Sequence, residues 1–435
     1  MCWCAEIVMA GPSLSSIHGV QQSNLPLEVM ERVLSLLPLP VLCRMRTVCK
    51  EWNDIICSSS FHDCYEQTLE ERGHGVCFLT KFHSIPYTRI ARSVRGTTCF
   101  LDLDERRWYL IKGSVDQGLD TRDVAMGDGL VAEICCPVSP KEGYNIGSRT
   151  ISCIQMSDPI LKMRWRLDPC PNEKNVHSLV VVAADRGSRV FRIFVFDNSG
   201  YGETGFHQCL WIYESSTNKW CCASQPPRKG SLKNLARSAV VFQQGLYAIF
   251  TETDSLERFL ALYDIEKDTW SMVLENLPAE RRVELVVSSG KLFMMFWRFP
   301  SSSSSSSAMR IEMVEIQVSE KTFRIVFQIP ASTLAHCCGE RITIYEIFDI
   351  TCLALRLNSD SSCSSVVLFS KSSGKVIIYN VVSATVDILP EHPLREKNFV
   401  PHQYWATHQN LCVRDILQKD AQSHPPIYVP KEQLL

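Results

Sequence analysis

Two stretches of this chain carry residue types with the spacing for chemistry. Gly200-Tyr201-Gly202-Glu203-Thr204-Gly205 has the Gly-x-Gly-x-x-Gly pattern that lets a backbone approach a pyrophosphate, and it follows an apolar strand. Such a site needs a helix next, whose N-terminus holds the anion. Here the chain runs on as Phe206-His207-Gln208-Cys209-Leu210-Trp211-Ile212-Tyr213, a strand pattern, so the glycines read as hairpin punctuation. Cys57, His62, Cys64, His74, Cys77 and His83 bring zinc-ligand types into a short span, but without a Cys-x-x-Cys knuckle and partly on a helical unit, so they read as structural. No Gly-x-Ser-x-Gly elbow, phosphate loop or His-Glu-x-x-His helix occurs. The expectation is a chain with no catalytic, cofactor-binding or metal-ligating residues, one that binds a partner and does not transform it.

Arginine is the residue for reading acidic or phosphorylated partners bidentately, and it clusters at Arg89, Arg92 and Arg95, at Arg106-Arg107, at Arg164 and Arg166, and at Arg281-Arg282. Ordinary surface charge is the commoner explanation of any one such patch. The overall balance is flat: 45 Lys+Arg against 47 Asp+Glu give a formal charge of −2, which removes the footprint of a general nucleic-acid binder. With 435 residues, 45% of them hydrophobic, the chain is long enough for two or three domains. No apolar run approaches the ~20 residues that span a bilayer, so the expectation is a soluble protein with no membrane partner. The 20 cysteines include three adjacent pairs, Cys135-Cys136, Cys221-Cys222 and Cys337-Cys338, which rarely bridge. With no signal segment and no Asn-x-Ser/Thr acceptor, a reducing compartment, cytoplasm and/or nucleus, is expected.

The elements behind these residues fall into four parts. Residues 1–22 have no periodicity and read as a flexible leader. Residues 23–66 read as short helices. Leu25-Pro26 precedes apolar positions 29, 30, 33, 34, 36 and 37, one broad face of an amphipathic helix, and Pro38-Leu39-Pro40 stops it. Val41, Leu42, Met45, Val48, Trp52, Ile55 and Ile56 then recur at steps of three and four. From 75 to 415 the period becomes strand-like, in apolar runs such as Leu130–Ile134, Val190–Phe196, Leu246–Phe250, Leu292–Trp297 and Val376–Tyr379. Residues 416–435 read as a polar C-terminal tail.

Within the strand region one unit recurs: an apolar run, an acidic or amide residue, five intervening residues and a bulky apolar anchor. The copies are Leu101-Asp102 to Trp108, Tyr213-Glu214 to Trp220, Tyr263-Asp264 to Trp270, Ile316-Gln317 to Phe323 and Tyr379-Asn380 to Val386. A sixth, Asp158-Pro159 to Trp165, is one residue longer. Anchors fall 50–63 residues apart, the period of a repeat architecture. Each hairpin must stack on its neighbours, and radial stacking gives a β-propeller, expected here with six blades and with the anchors as core fillers between them. Ring closure needs a strand from the far terminus; Val76–Leu79 and Gln403–Thr407 are the candidates. The serine-rich stretches Ser301–Ser307 and Asn358–Ser365 read as loop insertions.

Leu25-Pro26-Leu27-Glu28, Leu34, Leu37-Pro38, Leu42, Arg44, Arg46-Thr47-Val48-Cys49-Lys50-Glu51-Trp52-Asn53 and Phe61 together resemble an F-box over about forty residues. The remainder resembles the kelch-type or F-box-associated propeller of plant F-box proteins, on Gly129-Leu130, Gly245-Leu246, the hairpins and the Asp158-Pro159 turn; it departs from kelch blades in having no Gly-Gly pair. The expected fold class is α+β multidomain, a short N-terminal helical F-box followed by an all-β propeller.

The resemblance implies a non-catalytic substrate-recognition subunit of a Skp–cullin–F-box (SCF-type) E3 ubiquitin ligase. The F-box would dock a Skp-family adaptor, and through it cullin and RING subunits, while the propeller would bind an unidentified protein to be ubiquitinated. An interaction scaffold that binds the adaptor without promoting degradation is the alternative, and a propeller enzyme is a further one. The adaptor-binding residues expected are Leu25, Pro26, Val29, Val33, Leu34, Leu37, Pro38, Leu42, Val48, Cys49 and Trp52, with Met30, Met45, Ile55 and Ile56 facing inward. Forty residues of helix close a poor core alone, so part of this face should be covered by another chain.

Overall fold

The structure is a computed structural model that describes residues 25–37, 41–42, 45–72, 76–81, 97–102, 106–112, 119–127, 130–137, 153–158, 163–167, 170–171, 179–185, 190–197, 209–228, 230–232, 238–252, 255–278, 282–288, 290–298, 309–338, 350–356, 365–370, 373–391, 408–410 and 427–428. Helix α1, Leu27–Ser35, enters through Pro26 (φ −51, ψ 142), with Glu28 in its first turn and Arg32 in its last, as the helix dipole favours. Helix α2, Lys50–Ile56, is capped by Cys49, whose sulfur accepts the Trp52 N–H at 3.4 Å. Helix α3, Ser59–Arg72, runs past the expected end of the unit; the Ser58 hydroxyl accepts the Phe61 N–H at 3.1 Å and caps it. Leu34, Leu42, Ile55, Ile56, Phe61 and Tyr65 are the buried centre of this helical unit. A polar seam ties α1 to α3. Ser60 donates to Glu31 Oε1 at 2.6 Å, Arg32 Nη1 donates to Thr68 Oγ1 at 3.0 Å, and the Ser35 and Thr68 hydroxyls lie 2.9 Å apart.

The rest is antiparallel sheet. The strands are β1 Val76–Lys81, β2 Thr97–Asp102, β3 Arg107–Lys112; β4 Leu119–Gly127, β5 Leu130–Pro137, β6 Cys153–Asp158, β7 Met163–Leu167; β8 Leu179–Asp185, β9 Val190–Asp197, β10 Cys209–Glu214, β11 Lys219–Cys222; and β12 Gly230–Ser231, β13 Ala239–Phe242, β14 Gly245–Glu252, β15 Arg258–Asp264, β16 Thr269–Leu277. They continue as β17 Val283–Ser288, β18 Lys291–Arg298, β19 Arg310–Gln317, β20 Thr322–Pro330; then, after helix α4 (Ala331–Cys338), β21 Ile350–Arg356, β22 Ser365–Ser370, β23 Val376–Asn380, β24 Thr385–Ile388; and finally β25 His408–Asn410 and β26 Ile427–Tyr428.

Five blades are built from consecutive strands: β4–β7, β8–β11, β12–β16, β17–β20 and β21–β24. The expected six blades are corrected to these five. The strands of the first anchor make a composite sheet instead, β25-β1-β2-β3-β26, because β1–β3 lack a first strand of their own. Val76 pairs with Asn410 and Phe78 with His408, so a C-terminal strand does close on β1; Gln403–Thr407 lies outside the described residues. Ile427 and Tyr428, in the stretch expected as a tail, pair with Leu110 and Tyr109 on the opposite edge. The inner strands abut in series, β4 on β8, β8 on β13, β13 on β17, β17 on β21 and β21 on β25. The architecture is an all-β propeller behind a helical unit.

Burial on both faces explains the continuous apolar runs. In β18, Leu292, Met294 and Phe296 pack toward Tyr247 and Leu260 of the preceding blade, while Phe293, Met295 and Trp297 pack toward Val366, Leu368 and Ile377 of the next.

The recurring hairpin has a local cause. Its acidic or amide residue caps the turn: Asp264 Oδ1 accepts the N–H of Glu266 and Lys267 at 3.1 Å each, and Asn380 Oδ1 those of Val382 and Ser383 at 3.0 Å. Two residues before the anchor the backbone turns left-handed, at Arg106, Asn218, Asp268, Lys321 and Ala384 (φ 49 to 55). The anchor then pairs across with the residue before the cap, Leu101 with Trp108, Tyr213 with Trp220, Tyr263 with Trp270, Ile316 with Phe323 and Tyr379 with Val386. Trp165 is the exception and a correction. It pairs with Met156, two residues before Asp158, one residue out of step with the other copies.

Candidate functional site

Helix α1 carries two apolar faces, and the described residues cover only one. Met30, Glu31, Leu34 and Ser35 turn toward α2 and α3, with Leu34 3% exposed. Val29, Val33 and Leu36 fall at i, i+4 and i+7, within an arc of about 60° on the other side. They are 44%, 54% and 46% exposed. Leu25, Leu27 and Val48 are exposed as well. Removing such a stripe from water is the dominant favourable term in association, at about 25 cal/mol per Å², and nothing in the described chain does so.

Beside the stripe, Leu25, Leu27, Met30 and Ile55 floor a groove of about 680 Å³ between the start of α1 and α2. Glu31, Glu51, Asp54, Lys50, Ser58 and Ser60 also line it. Among the described lining residues three carboxylates stand against one ammonium, so this part of the lining is acidic.

The expected docking residues therefore divide. Leu25, Pro26, Val29, Val33, Val48 and Cys49 are exposed, and Leu37 and Trp52 are half-buried. Leu34 and Leu42, at 3% and 0%, are corrected to core: position 34 lies on the face of α1 that meets α3, and neither offers surface to a second chain. Pro38 lies outside the described residues. Leu27 and Leu36 were not among the docking residues read from the sequence. The i, i+7 relation of Leu36 to Val29 was its available signal.

Residues 22–64 match the F-box domain. This chain carries an F-box domain. The match covers α1, α2 and the first part of α3, the unit that bears the open stripe. F-box only protein 6 of Arabidopsis thaliana is 30% identical over 107 residues, covering 20% of this chain and 23% of that protein, so the chain spans about a quarter of the curated relative it matches. Three solved structures align at a TM-score of 0.39: a nidogen/laminin complex (9% identical, 73% of this chain and 94% of that chain), an oligogalacturonate lyase in complex with manganese (9%, 68% and 72%) and TolB from Acinetobacter baumannii (10%, 77% and 69%). A likeness of that degree says nothing of what this chain binds or does.

Other residues singled out from the sequence fall elsewhere. His62 is 2% exposed within the F-box core, and its Nε2 lies 3.0 Å from the Ile56 carbonyl, the bond of a satisfied core histidine. Among the described residues no cluster of His, Cys, Asp and Glu could hold a metal. Positions 200–205 lie outside the described residues, as do Arg89, Arg92, Arg95 and Arg281, and strand β10 does begin at Cys209. Arg282 is no surface reader: it is buried against Glu284 at 2.5 Å, with its guanidinium 4.3 Å above the Trp297 ring. Arg106 pairs with Asp387.

The anchors act at the outer rim. Trp108 is buried, Trp220, Trp270 and Val386 are half-buried, and Phe323 stays 39% exposed against Phe296, which corrects its reading as a core filler. The Trp270 indole donates to the Ser224 carbonyl of the preceding blade at 2.9 Å. Asp268 reinforces this seam by accepting the Ser224 N–H at 2.8 Å and the Tyr263 hydroxyl at 2.7 Å. The first bond, then the second, holds the Asp268 carboxyl below its usual range; burial, then the Asp268 bond, pushes the Tyr263 phenol up.

Proposed function

We propose that this chain is the substrate-recognition subunit of an SCF-type ubiquitin ligase, and that it performs no bond chemistry itself. In this reading the F-box docks a Skp-family adaptor, and through it cullin and RING subunits, using Leu25, Leu27, Val29, Val33, Leu36 and Val48, with Trp52 and Leu37 at the margin. The propeller holds the protein to be ubiquitinated, in the cytoplasm or nucleus, and raises the effective concentration of its lysines at the conjugating enzyme.

The observation that carries the reading is the Val29–Val33–Leu36 stripe, on the side of α1 opposite its buried face. A helix that is apolar on both sides is stable in water only when both are covered, and the open side asks for a second chain. F-box proteins in general supply that arrangement.

Co-purification of the full chain with a recombinant Skp-family adaptor tests it. A stoichiometric complex is expected, lost when Leu25, Pro26 and Val33 are changed together to Ala, Ala and Glu. No complex from the wild-type chain, or one indifferent to these changes, overturns the reading. Substrate then follows from affinity purification with neddylation blocked, so that bound protein accumulates.

A further inference from the structure

We propose that Ser60 is a phosphorylation site that switches off docking at this F-box, an inference that rests on the adaptor reading above. Ser60 sits in the first turn of α3, is exposed, and lines the groove with Leu25, Leu27, Met30 and Ile55. Its hydroxyl donates to Glu31 Oε1 at 2.6 Å, a bond between α3 and α1. Glu31 is only 9% exposed, so its carboxylate relies on donors of this kind.

One hydrogen makes that contact attractive. A protein kinase using ATP would form a new P–O bond at Ser60 Oγ, break the bond between the γ-phosphorus and ADP, and release the hydroxyl proton. Afterwards the Ser60 oxygen has nothing to donate, and a charge of about −1.5 to −2 stands against Glu31. Glu51 and Asp54 on the same walls add to the repulsion, and Lys50 is the one cation among the described lining residues. A phosphate in the first turn of α3 also gains from the helix dipole, but that gain acts at an exposed end and is screened. The repulsion acts through a short contact with a nearly buried carboxylate, where the dielectric is lower, so it dominates. The start of α1 is driven off α3, and both the groove and the stripe belong to α1.

Two features make the serine a usable substrate. The hydroxyl is open only while the groove is empty, so the modification acts on chain not yet docked. Asp63, exposed three residues on in Ser60-Phe61-His62-Asp63, suits a kinase that reads an acidic side chain beyond its target.

The test measures affinity of the full chain for the recombinant Skp-family adaptor. Ser60→Glu is expected to bind about thirtyfold more weakly, and Ser60→Ala, which adds no charge, to stay within about fivefold of wild type. Ser59→Glu, on the same turn but outside the groove, should bind as wild type. Adding Glu31→Gln to Ser60→Glu should recover about tenfold, because the repelling partner becomes a donor. Equal binding by Ser60→Glu and wild type, or no recovery on adding Glu31→Gln while melting temperatures match, overturns the switch. So does the absence of a Ser60 phosphopeptide from adaptor-free chain purified with phosphatases inhibited. If wild type itself fails to bind, the adaptor reading falls instead.

Discussion

The indole Nε1 of Trp108 donates to the carbonyl of Pro390 at 2.9 Å, across 282 residues of chain. It repeats the Trp270–Ser224 bond, in which an anchor reaches back to the carbonyl just past the outer strand of the preceding blade. The first anchor therefore finds its preceding blade at the far end of the chain. Together with the Arg106–Asp387 pair and the β1–β25 pairing, this contact joins the two ends of the strand region.

Trp108→Phe should therefore weaken the whole propeller. The change removes one partly buried hydrogen bond and part of a side chain that is 5% exposed, a cost of about 2 kcal/mol. Guanidinium unfolding followed by tryptophan fluorescence measures it. Phe323→Leu, at a 39% exposed anchor, is the control and should cost under about 0.5 kcal/mol. Equal losses for the two would mean that Trp108 latches nothing.

The β13–β14 hairpin offers a gain. Phe242 pairs with Gly245, so the loop is only Gln243-Gln244, and both have positive φ, 52 and 70. A two-residue turn of that hand favours Asn-Gly, and glutamine pays a steric penalty there. Gln243→Asn with Gln244→Gly should raise stability by about 1 kcal/mol, read as a higher denaturant midpoint at unchanged slope. A lower midpoint would show that the glutamine side chains hold the turn by contacts worth more than its strain.

These elements separate what could be read from the residues from what could not. The hairpins were legible because cap, left-handed residue and anchor lie within eight residues and act locally. Trp165 is harder to place because an extra residue in the count marks a register slip, and register is decided by pairing across the sheet. In α1 the pattern of six apolar positions says that the helix is amphipathic but not which valine or leucine meets α3. Val33 and Leu34 are chemically alike, and only tertiary packing makes one surface and the other core. β25 and β26, three and two residues long, are too short to carry any period.

Acid should loosen the β17–β20 blade. Burial disfavours the charged forms of Glu312 and Glu315, but bonds from Arg298 and Arg310 to the first, and from Lys291 and Arg324 to the second, outweigh it and hold both carboxyls below 4.5. A depressed carboxyl stabilises the fold above its unfolded value and loses that contribution as pH falls through the folded one. Stability of this blade should thus hold down to about pH 4.5 and decline below it. Glu312→Gln should be less stable at neutral pH and show a shallower acid decline in hydrogen exchange of β18–β20. An unchanged decline would place the acid-sensitive groups elsewhere.

Adjacent residues of α1 should fail in opposite ways. Leu34→Ala opens a cavity at a position 3% exposed and should cost about 2–5 kcal/mol of F-box stability, with adaptor affinity reduced only as far as the fold is lost. Val33→Glu changes a side chain that is 54% exposed, so its effect on stability should stay within about 0.5 kcal/mol. Placed in a desolvated interface, the same carboxylate is a buried unpaired charge and should abolish complex formation. Circular dichroism melts and adaptor titration on the same samples separate the two. If Val33→Glu binds as wild type, the open face of α1 is not where the second chain sits, and the groove alone would have to account for docking.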